Sequence, residues 1–178
     1  MIKVFLSLLT LISLSAFAAT SEEERSTKKF ELTLQSGGDY RMSTNQIAAM
    51  YFLHPNDLIG LKLGEGQGNS RKESQTNIAA QYKHYFSNSF YAAGEIFYLN
   101  SREDVNGFFG DIFNLRDYDN YSSMGAGIRI GNQWTWNHFT LGCDWVGIGQ
   151  RVGTFRKDTS RLNNSTFTFL NVIIGTNF

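Results

Sequence analysis

The residues of this 178-residue chain with the most chemical reach are three histidines, one cysteine and a thin scatter of charges. His138-Phe139-Thr140 sets an imidazole two places from a hydroxyl, the types a general base and a nucleophile require. The run lies directly after the short break Thr135-Trp136-Asn137, and no catalytic residue is assigned. His54, His84 and His138 all fall beside breaks on one side of the chain's strand pattern. Zinc needs three or four ligands converging at ~2.0–2.3 Å, and these histidines lack any short ligand spacing, so neither a metal nor a cofactor is expected. Gly64-Glu65-Gly66-Gln67-Gly68-Asn69 has the glycines of a phosphate loop without its lysine or a following helix, and reads as a strand end. Asn163 and Asn164 fit glycosylation sequons formally but read as ordinary loop residues. Cys143 is alone, which excludes an internal disulfide.

A stronger pattern involves six charges, Glu31, Lys62, Lys83, Glu95, Arg129 and Asp144. Each sits in a run of alternating hydrophobicity, on the face opposite the apolar one. Three are acidic and three basic, so the set is neutral. The elements that carry them read as strands of about ten residues. The first is Phe30 to Gln35, followed by Asn45 to Leu53, Leu58 to Gly66, Gln75 to Phe86 and Phe90 to Asn100. Tyr121 to Trp134, His138 to Gln150 and Thr166 to Phe178 complete the set. The second is apolar on both faces, which leaves its register open. In the seventh, Phe139, Leu141, Cys143 and Trp145 oppose Thr140, Gly142, Asp144 and Gln150. Glu95, Arg129 and Asp144 fall on three consecutive strands, so an acid–base–acid ladder is geometrically open, with glycines beside Arg129 making room for it. No helical periodicity of any length is present.

Composition narrows the class. With 15 Phe, 8 Tyr, 3 Trp, 17 Gly, one Pro and 18% charged residues, the chain suits a β-protein whose outer surface meets something other than water; ordinary domains carry ~25% charge. Lys3, the apolar run Val4 to Phe17 and the small-x-small Ala16-Phe17-Ala18 read as a signal peptide cleaved before Ala19. Residues 1–18 are therefore assigned to the leader, 19–27 to a short N-terminal segment and 28–178 to a barrel domain. Without Lys3 the balance is one net negative charge, which argues against nucleic-acid binding. No later run is long and apolar enough for a spanning helix.

Three features point the apolar face at lipid. Breaks after the even-numbered strands are short, and those after the odd-numbered ones run up to about twenty residues, as in barrels with short turns on one side of a membrane. The six charges then fall inside. Aromatic residues gather at strand ends: Phe30, Phe52, Phe86, Phe90, Trp134, Trp136, Phe139 and Phe178 toward the short turns, and Tyr40, Tyr98, Tyr121, Trp145 and Phe167 toward the long breaks. The fold expected is all-β, a transmembrane antiparallel up-and-down barrel of about eight strands.

The segment Thr168-Phe169-Leu170-Asn171-Val172-Ile173-Ile174-Gly175-Thr176-Asn177-Phe178 resembles the C-terminal signal strand of outer-membrane barrels. With the leader and the strand plan, the mature chain resembles the small eight-stranded OmpA/OmpX-type outer-membrane proteins. The resemblance implies an outer-membrane location, a terminal Phe178 that signals to the barrel-assembly machinery, and a monomer among membrane lipids and lipopolysaccharide. A structural or surface-interaction role (envelope integrity or adhesion) is expected, with no enzymatic activity. Exposed aromatics Phe108, Phe109 and Phe113 and the basic Arg156, Lys157 and Arg161 are the candidate loop contacts. A narrow small-solute channel is the alternative. Less favoured are a soluble lipocalin-like binder and a lipid A-modifying barrel, for which His138 lies at the wrong end and Thr140 replaces a serine.

Overall fold

The computed structural model describes residues 21–39, 42–68, 73–104, 118–154 and 165–178. A short helix α1 (Ser21–Ser26) precedes eight strands: β1 (Phe30–Asp39), β2 (Met42–His54), β3 (Asp57–Gly68), β4 (Glu73–Tyr85), β5 (Phe90–Asp104), β6 (Tyr118–Trp136), β7 (Phe139–Thr154) and β8 (Ser165–Asn177). Each strand pairs antiparallel with the next, and β1 pairs back with β8, closing the sheet into a barrel. Among the described residues, closure leaves no open edge strand to template a further chain.

The period-2 pattern dictates the two faces. Along β3, Ile59, Leu61 and Leu63 are half exposed while Leu58 and Lys62 are buried; along β8, Leu170, Val172 and Ile174 point out and Asn171 and Ile173 point in. β2 is now fixed by its register against β1 and β3: Ile47, Tyr51 and Leu53 face out, and Ala48, Met50 and Phe52 face in. The joins at one end are tight: Pro55-Asn56, Phe86 to Ser89, and Asn137-His138. Asn137 has φ 50, the left-handed conformation that two-residue hairpins demand and asparagine tolerates.

Several sequence expectations are corrected. Phe52 is not in an aromatic girdle; it is 6% exposed and packs in the interior with Met50, Leu58, Tyr85 and Tyr91. A strand apolar on both faces carries no period to place it, and register alone decides. Trp145 packs against Phe90, ring centroids 6.4 Å apart, toward the short turns and not toward the far end. Gln150 lies on the outer face: β7 carries one extra residue between Asp144 and Val146 relative to β6, and that bulge inverts the alternation beyond it. The odd-numbered joins are also shorter than read in the first half of the chain, because β1 extends through Gly37-Gly38 to Asp39 and β2 begins at Met42. Finally, the N-terminal segment contains a helix, with Glu22, Glu23 and Glu24 in its first turn, where acids complement the helix dipole.

Candidate functional site

The barrel interior is where polar chemistry concentrates, and small neighbours make space for it. Lys62 stands between Ala48 and Ala79, Arg129 between Ala93 and Gly147, and Asp144 between Gly131 and Asn171. A Cβ added at Gly147 would sit 3.0 Å from Arg129 Cγ, so that glycine gives the guanidinium stem its room.

The six inward charges form two groups. In the first, Lys62 Nζ donates to Glu95 Oε2 at 2.6 Å, and Arg129 Nη2 and Nε donate to Glu95 Oε1 at 2.9 and 3.2 Å. Arg129 Nη1 reaches Asp144 Oδ2 at 3.5 Å, Asn171 Nδ2 donates to the same oxygen at 3.2 Å, and Tyr91 OH donates to Asp144 Oδ1. In the second, Lys83 Nζ donates to Gln133 Oε1 at 2.7 Å and to Glu31 Oε1 at 3.1 Å, while Gln133 Nε2 donates to Glu31 Oε2. Lys83 also lies 4.9 Å from the centre of the Tyr91 ring, which links the two groups. Unpaired charges buried this deeply would cost several kcal/mol each; every one here has an opposite partner.

Sequence reasoning missed the tyrosines, amides and helix that complete the network. Tyr85 and Tyr91 are buried, edge to face at 5.6 Å. Below them α1 closes the short-turn end. Its Arg25 is fully buried; Nε donates to the Pro55 carbonyl at 2.8 Å, Nη1 to the Asn88 carbonyl at 2.7 Å, and the guanidinium lies 3.9 Å from the Tyr85 ring centre. Burial lowers the Arg25 pKa, and Tyr85, Glu22 and Glu31 oppose that fall. Ser21 Oγ accepts from Thr135 N at 3.2 Å. The helix thus ties the β2–β3 and β4–β5 turns to the end of β6. The acid run after Ser21 was the available signal, since acids after a small polar residue mark helix starts.

Toward the far end the interior opens above Lys62. Gln46, Gly64 and Asn77 share one row across β2, β3 and β4, and Thr44, Gly66 and Gln75 the next. The two glycines leave bare backbone there, and a cavity of about 50 Å³ remains, walled on the other side by Phe97, Leu99 and Thr168. A water needs only ~10–15 Å³ of such space, so the cavity has room for a few. Gln46 Oε1 and Asn77 Oδ1, both buried, accept no hydrogen bond among the described residues.

The other candidates separate. Thr140 is buried and its hydroxyl accepts from Asn177 Nδ2, whereas His138 Nδ1 donates to the Asn177 carbonyl at 2.9 Å. His84 instead contacts Asp57 at 2.7 Å. Among the described residues no three His, Cys, Asp or Glu are grouped to hold a metal ion. Phe178 ends the outward row of β8; its ring stacks on Phe30 at 6.1 Å, and its amide donates to the Phe30 carbonyl at 3.0 Å. Phe108, Phe109, Phe113, Arg156, Lys157 and Arg161 lie outside the described residues, as does Tyr40; nothing is described of the side chains of Tyr121 and Phe167.

No protein-family model and no curated relative matches the chain. Solved structures do. The N-terminal β-barrel domain of Pseudomonas aeruginosa OprF is 13% identical, with a TM-score of 0.56 over 85% of this chain and 98% of that one. Neisserial surface protein A is 11% identical, with a TM-score of 0.59 over 84% and 95%. Ail, the attachment invasion locus protein of Yersinia pestis, is 6% identical, with a TM-score of 0.50 over 85% and 100%. With charges inside, an apolar wall outside and these likenesses across 84–85% of the chain, it has the fold of the small eight-stranded outer-membrane β-barrels.

Proposed function

We propose that this chain is an outer-membrane barrel with a structural or surface-interaction role, its short turns in the periplasm and its far end outside the cell. The observation that carries the reading is the packed interior: Lys62, Glu95, Arg129 and Asp144 are bonded to one another across the lumen, and below them Met50, Phe52, Leu58, Tyr85 and Tyr91 fill the barrel. A body filled this way serves as an anchor, leaving contact with the surroundings to the outer segments. Residues 1–18 act in this reading as a cleaved signal peptide, and Phe178 as the signal read by the barrel-assembly machinery. Phe108, Phe109 and Phe113 in one outer segment and Arg156, Lys157 and Arg161 in another are the proposed contacts, the basic set toward lipopolysaccharide phosphates. Likeness in fold to a surface protein and an attachment protein is in keeping with this role.

Cell fractionation tests the location, and planar-bilayer recording tests the sealed body. Recovery in the detergent-extracted outer membrane, a heat-modifiable gel band and electrical silence are expected. Recovery in soluble periplasm would overturn the membrane reading, and discrete conductance steps would favour a narrow channel instead.

A further inference from the structure

In the cavity above Lys62, acceptors without donors face a donor without enough acceptors. Gln46 on β2 and Asn77 on β4 are register partners of Gly64 on β3, two residues on from Lys62 along the same inward face. Both amides lean over that glycine: a Cβ there would lie 2.5 Å from Asn77 Oδ1 and 2.7 Å from Gln46 Cγ. Gln46 is only 6% exposed, yet neither its Oε1 nor Asn77 Oδ1 receives a hydrogen bond from any described residue. An acceptor buried without a donor destabilises a fold, and two in one cavity call for an occupant. Lys62 Nζ, buried below them, gives one of its three N–H groups to Glu95 and has no second acceptor among the described residues. The remaining wall is apolar: Ala79 and Phe97 share the row of Lys62, and Leu99 stands beside Asn77.

These groups select a chemistry. Lys62, Arg129, Glu95 and Asp144, two of each sign, are bonded to one another, which leaves no net charge to hold an ion. A carboxylate brings no donor for the two amide oxygens, and an ammonium brings nothing for Lys62 to bond. A hydroxyl does both: it accepts from Lys62 and donates to an amide oxygen, and it serves an amide whichever way that amide is turned. Water has the same versatility but leaves Phe97 and Leu99 wet. The carbon frame of a polyol covers that wall while its hydroxyls face the polar side. A space of about 50 Å³, several times what one water needs, admits a molecule of a few heavy atoms.

We propose that Gln46, Asn77 and Lys62 form a site for the neighbouring hydroxyls of a neutral polyol, either a small free polyol or the edge of a sugar. Its C–H face lies on Phe97 and Leu99, and Gly64 is the residue that lets the two amides converge. The site adds a ligand to a body otherwise read as an anchor, and it does not depend on where that body resides.

The full chain, deuterated except at its exchangeable N–H groups and held in deuterated detergent micelles, is titrated with glycerol and separately with methyl glucoside, acetate and methylammonium. Nuclear Overhauser contacts should run from the glycerol C–H protons to the side-chain amides of Gln46 and Asn77. They should saturate at about millimolar concentration, within reach of a ligand of this size. Contacts from glycerol alone identify a small free polyol as the occupant, and matching contacts from methyl glucoside identify a sugar edge. Gln46→Leu, close in size and without the orphan oxygen, should weaken glycerol binding about tenfold as read at Asn77, the scale of one hydrogen bond. Contacts from water only, equal contacts from acetate or methylammonium, or undiminished binding in Gln46→Leu would overturn the site. Should the variant not fold, the contacts in the unmodified chain still decide.

Discussion

Lys62 on β3 donates to the carboxylate of Glu95 on β5 at 2.6 Å, across the barrel interior and skipping the strand between them. The same carboxylate also serves Arg129, so one acid is shared by two cations, the second of which also reaches Asp144. Glu95→Ala strands Lys62 in a buried site and leaves Arg129 only its 3.5 Å contact with Asp144, and should lose about 3–5 kcal/mol of stability, the scale for breaking a buried pair from one side. Urea unfolding in detergent micelles reads this directly. Arg129→Ala added to Glu95→Ala should cost clearly less than the two separate losses combined; simple additivity would mean that the pair is not coupled.

Gly131 is required where Tyr91 meets Asp144. A Cβ there would lie 2.9 Å from the Tyr91 hydroxyl and 2.9 Å from Asp144 Cα, and would also press on the Cys143 carbonyl. Backbone cannot yield as a flexible side chain can, so Gly131→Ala should destabilise by about 1–3 kcal/mol. Gly66→Ala is the contrasting case, since its added Cβ meets nothing closer than 3.4 Å; its unfolding midpoint should stay near that of the unmodified protein.

Arg25→Ala should leave the eight strands intact and release α1. Losing its hydrogen bonds to the Pro55 and Asn88 carbonyls should cost about 1.5–3 kcal/mol, as for bonds made by a charged group. Hydrogen exchange should accelerate through residues 21–26 and at the turns around Asn56 and Asn88. Unchanged exchange at those turns would show that the helix does not hold them.

Deleting Phe178 removes its stack on Phe30 and the last amide and carbonyl of the β8–β1 seam. Assembly into vesicles, followed by the appearance of the heat-modifiable band, should slow several-fold while the final barrel keeps its mobility. An unchanged rate would count against a signalling role for this residue.

Most of the barrel was legible because alternation is local: Leu32 and Leu34 out against Glu31 and Thr33 in requires only that β1 be extended. The inward placement of the six charges follows from the same parity. Legibility stopped wherever the deciding term was not local. The extra residue at Trp145 inverts β7, and no count of periods along β7 alone reveals it. Phe52 looked like a girdle residue because β2 has apolar side chains on both faces, and only pairing with β1 and β3 fixes which one is inside. Glycines at 37 and 38 read as a break yet continue the β1 ladder. Tyr91 gave no sign of being the bridge between two charge groups, since its partner Asp144 lies 53 residues away.

The docked α1 has a consequence for timing. Its contacts come from the β2–β3 turn, the β4–β5 turn and the end of β6, so its seat exists only once those parts of the wall have met. A half-built barrel leaves this stretch open to a protease, and a finished one shelters it. Loss of cleavage within residues 21–26 would therefore work as a clock, marking when the last of the three parts falls into place.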